Sequence, residues 1–469
     1  ARVYLMFILP GVLLLLVFIY ARPQEFIPVL RDAPLLYLFF ALALLGLAID
    51  LKLRKIRPIA TPQLLWVGIF FGWCLISIGV RAPWDLVDQA VVIAISIVLY
   101  LLIGHGVQTF RGLKVLATAL LAITLYLSFI GVQQNYAPFG CFQISASSEE
   151  MGVYDGRACE RERDCYANDP EPGADYMCER VGLFGTSSIG GGRVRYLGPL
   201  MDPNELALAI GIGLPFAFAL FERKRSATRA ALLLFSLALV GMAVTFTESR
   251  GGVLVVLAVL GVYFIRRFGW KGALLGVLAA APILLFGGRH GAEAESSSLE
   301  RLECWYEGVL LFRQYPIFGV GPGQFVDHYY LTAHNSYVLA PAELGFPGMV
   351  IWSVVMYLSA KIPVSALRRL SPAEPPRIAP GPEADVARTW AVALLAALAG
   401  LLVGVFFLSF CYHQVLWIYV GLAGAYYCAL KRHDPEWEVR FSFRELLFVV
   451  AGDAFLIPLI YLYARHKVG

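Results

Sequence analysis

Long stretches without a single charged residue are the feature that most restricts the fold of this chain. Val3–Tyr20, Ala33–Ile49 and Ala391–Phe410 contain no Asp, Glu, Lys or Arg. Each stretch approaches or reaches the ~20 apolar residues that a helix needs to cross a bilayer. The 469-residue chain is 59% hydrophobic and 15% charged, whereas soluble proteins are roughly 45–50% apolar and 25% charged. These values exclude a cytosolic enzyme, a disordered chain and a domain with a single anchor.

The apolar stretches predict an all-α polytopic membrane protein with about 12 transmembrane helices and two long periplasmic loops. A thirteenth segment, 446–463, contains Asp453, and it either spans the membrane or lies in the interface or the bundle. The predicted spans are 3–20, 34–51, 62–80, 88–105, 113–131, 203–221, 228–246, 251–265, 272–287, 346–363, 389–411 and 414–430.

The loops between these spans differ in their basic residues. Loops on one side hold most of the 38 Lys and Arg residues, in clusters such as 52–57, 223–229 and 361–388. Short loops rich in Lys and Arg stay in the cytoplasm, so the opposite side is predicted to be periplasmic. The formal net charge of +4 is too small to indicate a nucleic-acid partner.

The spans and the two longest polar segments suggest five regions along the chain. Both polar segments fall on the predicted periplasmic side, and long loops on a rigid scaffold commonly carry function. The regions are an N-terminal group of spans (1–131), a cysteine-containing loop (132–202), further spans (203–287), a loop proposed to be catalytic (288–345) and the C-terminal spans (346–469).

Four of the eight cysteines lie in the loop 132–202: Cys141, Cys159, Cys165 and Cys178. An even number of cysteines in an extracytoplasmic loop indicates two disulfide bonds in an oxidising compartment. Zinc is the competing interpretation, but the loop contains no Cys-x-x-Cys pair. Three pairings are compatible with the sequence.

A first candidate site residue is Arg250, in the sequence Thr247-Glu-Ser-Arg-Gly-Gly252 between two predicted spans. An arginine near the bilayer is costly unless it has a function or reaches the interface. Glycine permits a tight turn and the close approach of a ligand. An interfacial arginine without a ligand is the alternative interpretation.

A second candidate is Arg301, in the segment Ser297-Ser-Leu-Glu-Arg301. Ser297 and Glu300 match a capping box, which predicts that a helix begins here and runs to about Tyr315. Arg301 would then lie in the first turn, where the exposed N–H groups and the helix dipole favour an anion. An ion pair with Glu300 is the alternative.

The third candidate is His334, because histidine is the side chain best suited to proton transfer near neutral pH. Glu343 follows nine residues later, with Pro341 between them. The sequence leaves open whether Glu343 orients His334, and a purely structural histidine is the alternative interpretation.

The sequence also lacks several catalytic motifs. It has no Asp-x-Asp pair, no phosphate-binding G-x-x-x-x-G-K-[ST] loop and no H-E-x-x-H zinc motif. Two arginines and a histidine on one face suit a transfer from a diphosphate leaving group without a metal or another cofactor.

Four sequence blocks in this order resemble the O-antigen ligase and O-antigen polymerase superfamily. They are Arg195-Tyr-Leu-Gly with Asp202-Pro-Asn-Glu, Glu248-Ser-Arg-Gly-Gly, Arg301 to Trp305 with Pro316-x-x-Gly-Val-Gly, and His334-Asn-Ser-Tyr with Glu343-Leu-Gly. The resemblance implies a glycosyltransferase with a GT-C-like fold in the bacterial inner membrane, with its active site on the periplasmic side. It implies a donor glycan linked to undecaprenyl diphosphate, metal-independent transfer, and catalytic roles for Arg250, Arg301 and His334.

The same blocks contain four expected substrate-binding residues, Arg195, Asn204, Asn335 and Glu343. The resemblance leaves the acceptor open between the core of lipid A, a protein and another lipid-linked repeat. The rival function is a transporter or flippase of a lipid-linked saccharide. We see no repeated half and no charge pair in mid-span, which are features typical of transporters.

Overall fold

The computed structural model describes residues 6–31, 33–144, 152–167, 170–269, 271–272, 274, 276, 292–370 and 382–468. These residues are mostly helical. The longer helices are α1 (Ile8–Tyr20), α4 (Leu35–Lys52), α5 (Leu64–Arg81), α6 (Leu86–Gly106), α7 (Phe110–Asn135), α8 (Pro203–Gly213), α9 (Pro215–Arg223), α10 (Ala227–Phe246), α11 (Arg250–Phe268), α12 (Ala292–Gln314), α14 (Ser336–Arg369), α15 (Pro382–Gly404), α16 (Gln414–His433) and α17 (Phe443–Val468). The short helices are α2 (Pro23–Phe26), α3 (Pro28–Arg31) and α13 (Phe325–His328).

Ten helices in the described part of the chain are long and apolar enough to cross a membrane. They confirm nine of the predicted spans and show that 446–463 belongs to a tenth, α17. The expected number of about 12 is therefore too high for these residues. α1 is short, with 13 residues, and the predicted span 272–287 lies almost wholly outside the described residues.

The predicted span 414–430 forms a helix, α16, that is not among the ten. Every residue from Val415 to Leu430 is buried by other parts of the protein. Since α16 is enclosed by other helices, its sequence does not need a continuous apolar surface facing lipid.

Small residues allow α16 to approach α6 closely. A Cβ atom added at Gly424 would lie 3.1 Å from Cα of Gly104, and one at Gly421 would lie 3.0 Å from the Cβ of Ile103. Small residues permit such close packing between membrane helices. The Gly68-x-x-x-Gly72 pair in α5 also has a spacing typical of close helix packing, but added Cβ atoms there would meet nothing within 4 Å.

α17 is long enough to cross the membrane, and it contacts other helices near both of its ends. Near its start Glu445 forms an ion pair with Lys361 of α14, and near its end Tyr461 stacks on Tyr306 of α12 with ring centroids 5.7 Å apart. At 1.5 Å per residue these positions are about 24 Å apart along the helix. Asp453 lies between them, buried, and its carboxylate accepts a 2.9 Å hydrogen bond from Ser353 of α14. Asp453 therefore faces the bundle.

The loop 132–202 contains a small antiparallel sheet, which corrects the all-α expectation. Its strands are β1 (Phe139–Ile144), β2 (Val153–Ala158) and β3 (Asp175–Arg180), in the order β2-β1-β3. The strands were not predicted because the loop lacks the alternating aliphatic residues that usually indicate a sheet.

Disulfide bonds hold this sheet together, as predicted. Cys141 is bonded to Cys165, and Cys159 is bonded to Cys178. Cys141 and Cys178 lie directly opposite each other on β1 and β3, yet each is bonded to a cysteine outside this strand pair. The two disulfides pack with Tyr176 in a small core of their own, which compensates for the scarcity of aliphatic residues.

A break in α14 brings the glycine-rich turn 319–323 against this helix. Gly345 has φ 68° in the middle of α14, and a Cβ there would lie 2.1 Å from the carbonyl oxygen of Ile317. The backbone N–H groups of Val320 and Gly321 each donate a 2.9 Å hydrogen bond to α14, to Ala342 and Glu343 respectively. The turn is therefore part of the packing around a broken helix.

Candidate functional site

Arg250 is the first residue of α11. Ser249 caps this helix, and its hydroxyl accepts a 3.0 Å hydrogen bond from the backbone N–H of Gly252. The preceding Glu248 has φ 52°, a left-handed conformation that is uncommon for residues other than glycine. The tight turn expected from the sequence is present. The close approach at Gly252 is to α8, since an added Cβ would lie 2.4 Å from the Cβ of Ala207.

Asn204 connects the start of α8 to the start of α11. Its amide oxygen accepts a 2.6 Å hydrogen bond from the Ser249 hydroxyl, and its amide nitrogen donates a 2.6 Å bond to the carboxylate of Asp202. Asp202 caps α8 by accepting a further bond from the backbone N–H of Asn204. Two helix N-termini, each of which favours negative charge, are thus fixed side by side.

Arg301 lies in the third turn of α12, which is a correction to the sequence-based prediction. The helix begins at Ala292, well before the predicted capping box at Ser297. The preceding Ala and Glu residues are strong helix formers and extend the helix backwards past the serines. Arg301 therefore does not lie at a helix N-terminus, whereas Arg250 does.

Arg250 and Arg301 line the same cleft, which is open to solvent and contains about 900 Å³ of empty space. The cleft joins residues that are far apart in the sequence. α11 and α12 form two walls, and the end of α17 contributes Tyr463. The lining residues are Arg193, Asn204, Glu248, Arg250, Gly251, Ser297, Ser298, Arg301, Leu302, Trp305, Phe407 and Tyr463.

Arg193 was not among the expected site residues, although it lines the cleft. Its guanidinium donates a 3.1 Å hydrogen bond to the backbone carbonyl of Thr247, beside Arg250. The expected residue, Arg195, is not part of this cleft lining; its guanidinium bonds the backbone carbonyl and the hydroxyl of Ser187 at 3.1 and 3.0 Å. The two arginines are two residues apart and of the same type, so the sequence alone could not show which of them lines the cleft. Their different hydrogen-bond partners separate them.

The charge of Arg301 acts on His334, although His334 is not among the residues that line the cleft. Burial lowers the pKa of His334 below its ordinary value, and the positive charge of Arg301 lowers it further, while Asp202 and Glu300 act in the opposite direction. The imidazole is therefore favoured in its neutral form near pH 7, which is the form that accepts a proton. His334 also has φ 47°, and such strain in a residue other than glycine is often found at functional sites.

Asn335 caps α14 directly after His334. Its amide oxygen accepts a 2.8 Å hydrogen bond from the backbone N–H of Tyr337, and the side chain is fully buried. The cap fixes the backbone on the C-terminal side of His334.

Glu343 is buried in α14, where its carboxylate accepts a 3.2 Å hydrogen bond from the backbone N–H of Phe325. Its backbone carbonyl accepts a bond from Gly321. Within the described residues no hydrogen bond joins Glu343 to His334. These contacts hold the glycine-rich turn against α14, so Glu343 supports the loop that precedes His334.

These features define the class of the protein: a multi-span membrane protein with an arginine-lined cleft beside the N-termini of α8 and α11. Residues 235–353 match the family model for O-antigen ligase. This segment, 119 of the 469 residues, carries the O-antigen ligase domain of a family of membrane glycosyltransferases that acts in lipopolysaccharide biosynthesis. The matched segment contains Arg250, Arg301 and His334, whereas Arg193 and Asn204 lie outside it. No curated protein matches the chain at a significant level.

Proposed function

We propose that the cleft transfers a glycan from an undecaprenyl-diphosphate-linked donor to a hydroxyl acceptor on the periplasmic side of the bacterial inner membrane. The observation that carries the proposal is that Arg250 and Arg301 line one cleft, with a histidine of lowered pKa under the influence of Arg301. Planar guanidinium groups suit the oxygens of a diphosphate. The start of α11 adds a helix N-terminus to the same binding site.

In the proposed reaction, neutral His334 takes the proton of the acceptor hydroxyl. The acceptor oxygen then bonds to the anomeric carbon of the donor, and the bond from this carbon to the diphosphate oxygen breaks. The electron pair of that bond leaves with undecaprenyl diphosphate, whose increased negative charge Arg250 and Arg301 stabilise. Hydrogen-bond donors that are already oriented towards the charge developing in the transition state usually make the largest contribution to this type of catalysis.

Asn204, Asn335, Glu343 and Arg195 have positioning roles in this proposal. Asn204 lines the cleft and holds the two helix N-termini together, so it is the one of the four that we place within reach of substrate. The other three fix the backbone near His334 or the loop that contains Arg193. The acceptor is a saccharide, a lipid core or a protein, all of which offer a hydroxyl group.

The disulfide-linked sheet and the polar segment 288–345 belong to the periplasmic side in this proposal. Disulfides form and persist in the periplasm, and β1 directly follows α7, whose other end carries Arg111 and Lys114. Positive charge at the opposite end of the helix agrees with a cytoplasmic location for that end.

A transporter or flippase of the same lipid-linked saccharide is the second candidate function. Such proteins bind substrate near the middle of the membrane. Here Arg193 precedes α8, Arg250 is the first residue of α11, and Arg301 lies on α12, which is not among the ten candidate spans. Asp453, deep in α17, bonds to Ser353. A product assay separates the two functions, because a transporter leaves the lipid-linked oligosaccharide covalently unchanged.

The deciding experiment measures melting temperature, donor binding and product formation for purified His334→Ala, Arg250→Lys and Arg301→Lys. Loss of general-base assistance should slow transfer by about 10²–10⁴ in His334→Ala, with donor binding retained. Each Lys variant should lose donor affinity and rate, because charge alone does not replace the guanidinium geometry.

Matched controls come from the same region of the chain. His328 is an exposed histidine whose ring lies against Tyr315, and Arg313 is on α12 with its guanidinium over Tyr461. His328→Ala and Arg313→Lys should transfer at the wild-type rate. A folded His334→Ala protein with near-normal transfer would overturn the proposed mechanism.

A further inference from the structure

A second cavity lies at the other end of α10 from the cleft. α10 has 20 residues, which span about 30 Å. Its last residues lead into the turn before Arg250, whereas Arg229 in its first turn lines the second cavity. This cavity is open to solvent and contains about 1350 Å³ of empty space, and we call it the basic cavity.

Positive charge dominates the basic cavity. Arg111 and Lys114 of α7, Arg223 and Lys224 at the end of α9, and Arg229 of α10 all line it. Among the described residues that line it, Glu383 is the one acidic residue, and its carboxylate lies 3.1 Å from Nδ1 of His433. So many cations in one concave site repel each other unless an anion enters.

The long basic side chains are available for a ligand. Within the described residues, Arg111, Lys114, Arg223 and Lys224 form no ion pair with a carboxylate, and all four are exposed. Arg229 instead donates a 2.9 Å hydrogen bond to the backbone carbonyl of Leu220, near the end of α9. Arg229 therefore shapes the wall, while the other four cations form the rim.

The floor of the basic cavity is apolar and aromatic. Trp390 is buried there with 3% of its surface exposed, and the half-buried ring of Phe110 stacks on the ring of His433 at a centroid distance of 5.4 Å. Thr109, which also lines the cavity, caps the N-terminus of α7 by accepting a 3.1 Å hydrogen bond from Gly112. An apolar floor below a cationic rim matches a phosphate group attached to an apolar body.

We propose that the basic cavity binds a phosphate group, carried either by the headgroup of an anionic phospholipid or by a free phosphate compound. Basic pockets between membrane helices on the cytoplasmic side bind anionic headgroups, and the sequence predicts that this end of the bundle is cytoplasmic. The site is independent of the proposed transfer reaction, because its residues are about 30 Å from the cleft along α10.

The test is a binding titration of the full-length purified protein by native mass spectrometry. The ligands are phosphatidylglycerol, phosphatidylcholine with the same acyl chains, and inorganic pyrophosphate. The variants are Arg111→Gln with Lys114→Gln, and Arg223→Gln with Lys224→Gln. The matched control, Lys52→Gln with Arg54→Gln, removes two charges from exposed residues outside the cavity lining.

We expect each cavity pair to weaken phosphatidylglycerol binding about thirtyfold, since each Lys or Arg near an anionic group contributes roughly a fivefold gain. The control pair should change the affinity less than about threefold. Phosphatidylglycerol binding that pyrophosphate does not displace identifies a lipid ligand, and pyrophosphate binding that the lipid does not displace identifies a free phosphate. Equal losses in control and cavity pairs, or no preference of the wild-type protein for either anion over phosphatidylcholine, would overturn the proposal.

Discussion

The hydroxyl of Ser249 donates a 2.6 Å hydrogen bond to the amide oxygen of Asn204, which lies 45 residues earlier in the chain. Both side chains are buried. Because Ser249 caps α11 and Asn204 bonds the cap of α8, this contact fixes two helix N-termini behind the cleft arginines. A buried polar pair of this kind is costly to break.

Removing the Ser249 hydroxyl should therefore reduce both stability and transfer. Ser249→Ala loses a helix cap, worth about 1 kcal/mol, and leaves the buried Asn204 oxygen without its donor, at a cost of roughly 1–3 kcal/mol. Ser226→Ala is the control, because Ser226 caps α10 at the opposite end. Both variants should melt at lower temperature, but only Ser249→Ala should transfer more slowly while still folded. Equal activity in the two folded variants would contradict the link to the cleft.

The charges around His334 predict opposite pH shifts for two variants. A general base works when deprotonated, and the lowered pKa of His334 keeps it deprotonated to a lower pH than an ordinary histidine. Arg301→Gln removes a positive charge, so the pKa should rise and the acidic limb of the rate profile should move to higher pH. Asp202→Asn removes a negative charge and keeps a capping side chain, so the limb should move to lower pH.

The measurement is the transfer rate against pH at saturating donor. Arg301 also binds substrate in our proposal, so its replacement lowers the maximal rate in any case. The comparison therefore uses the pH at which the acidic limb falls, and not the maximal rate. Shifts in the same direction for both variants would mean that another group controls the profile.

Gly345 should tolerate no side chain. Its φ of 68° is strained for L-residues, and an added Cβ would overlap the carbonyl of Ile317. Gly345→Ala should lower the free energy of unfolding by about 2 kcal/mol or more, seen as a lower melting temperature in detergent. Gly68→Ala is the control, since a Cβ there meets nothing within 4 Å, and alanine favours a helix over glycine by about 0.5–1 kcal/mol. An unchanged melting temperature for Gly345→Ala would show that the break in α14 is not required.

Peptide mapping without reduction should recover the pairs Cys141–Cys165 and Cys159–Cys178. A bond between Cys141 and Cys178, which face each other across the strands, would contradict the structure. Removing either pair as a double alanine variant should cost about 2–4 kcal/mol in the stability of the loop. Limited proteolysis of the loop measures this loss while the helices stay intact.

Transfer should continue in excess EDTA. The described residues of the cleft lining include a single carboxylate, Glu248, alongside three arginines. Among the described residues, the three side chains close enough to form a metal-binding group are Cys141, Cys159 and Cys165, and all three are in disulfides. Activity lost in EDTA and restored by magnesium or manganese would show that an ion stabilises the leaving group.

Local sequence patterns predicted those features of the structure that depend mainly on residues close together in the chain. The uncharged stretches largely became helices, and the four cysteines formed two disulfides. The capping box at Ser297 failed because the helix propensity of the residues before it was stronger. The choice of Arg193 over Arg195 and the contact of Ser249 with Asn204 depend on packing between distant segments, which no local pattern encodes.

The cleft also limits how the protein can be divided. Its lining begins at Arg193 and ends at Tyr463, whereas the family match covers only 235–353. A fragment with those boundaries would keep both cleft arginines and His334 but lose Asn204, which bonds the cap of α11, and the wall formed by α17. The matched segment is therefore a recognisable sequence unit, but it is not an independent functional unit. Placed in another protein, it would contain the reactive side chains and lack the residues that position them.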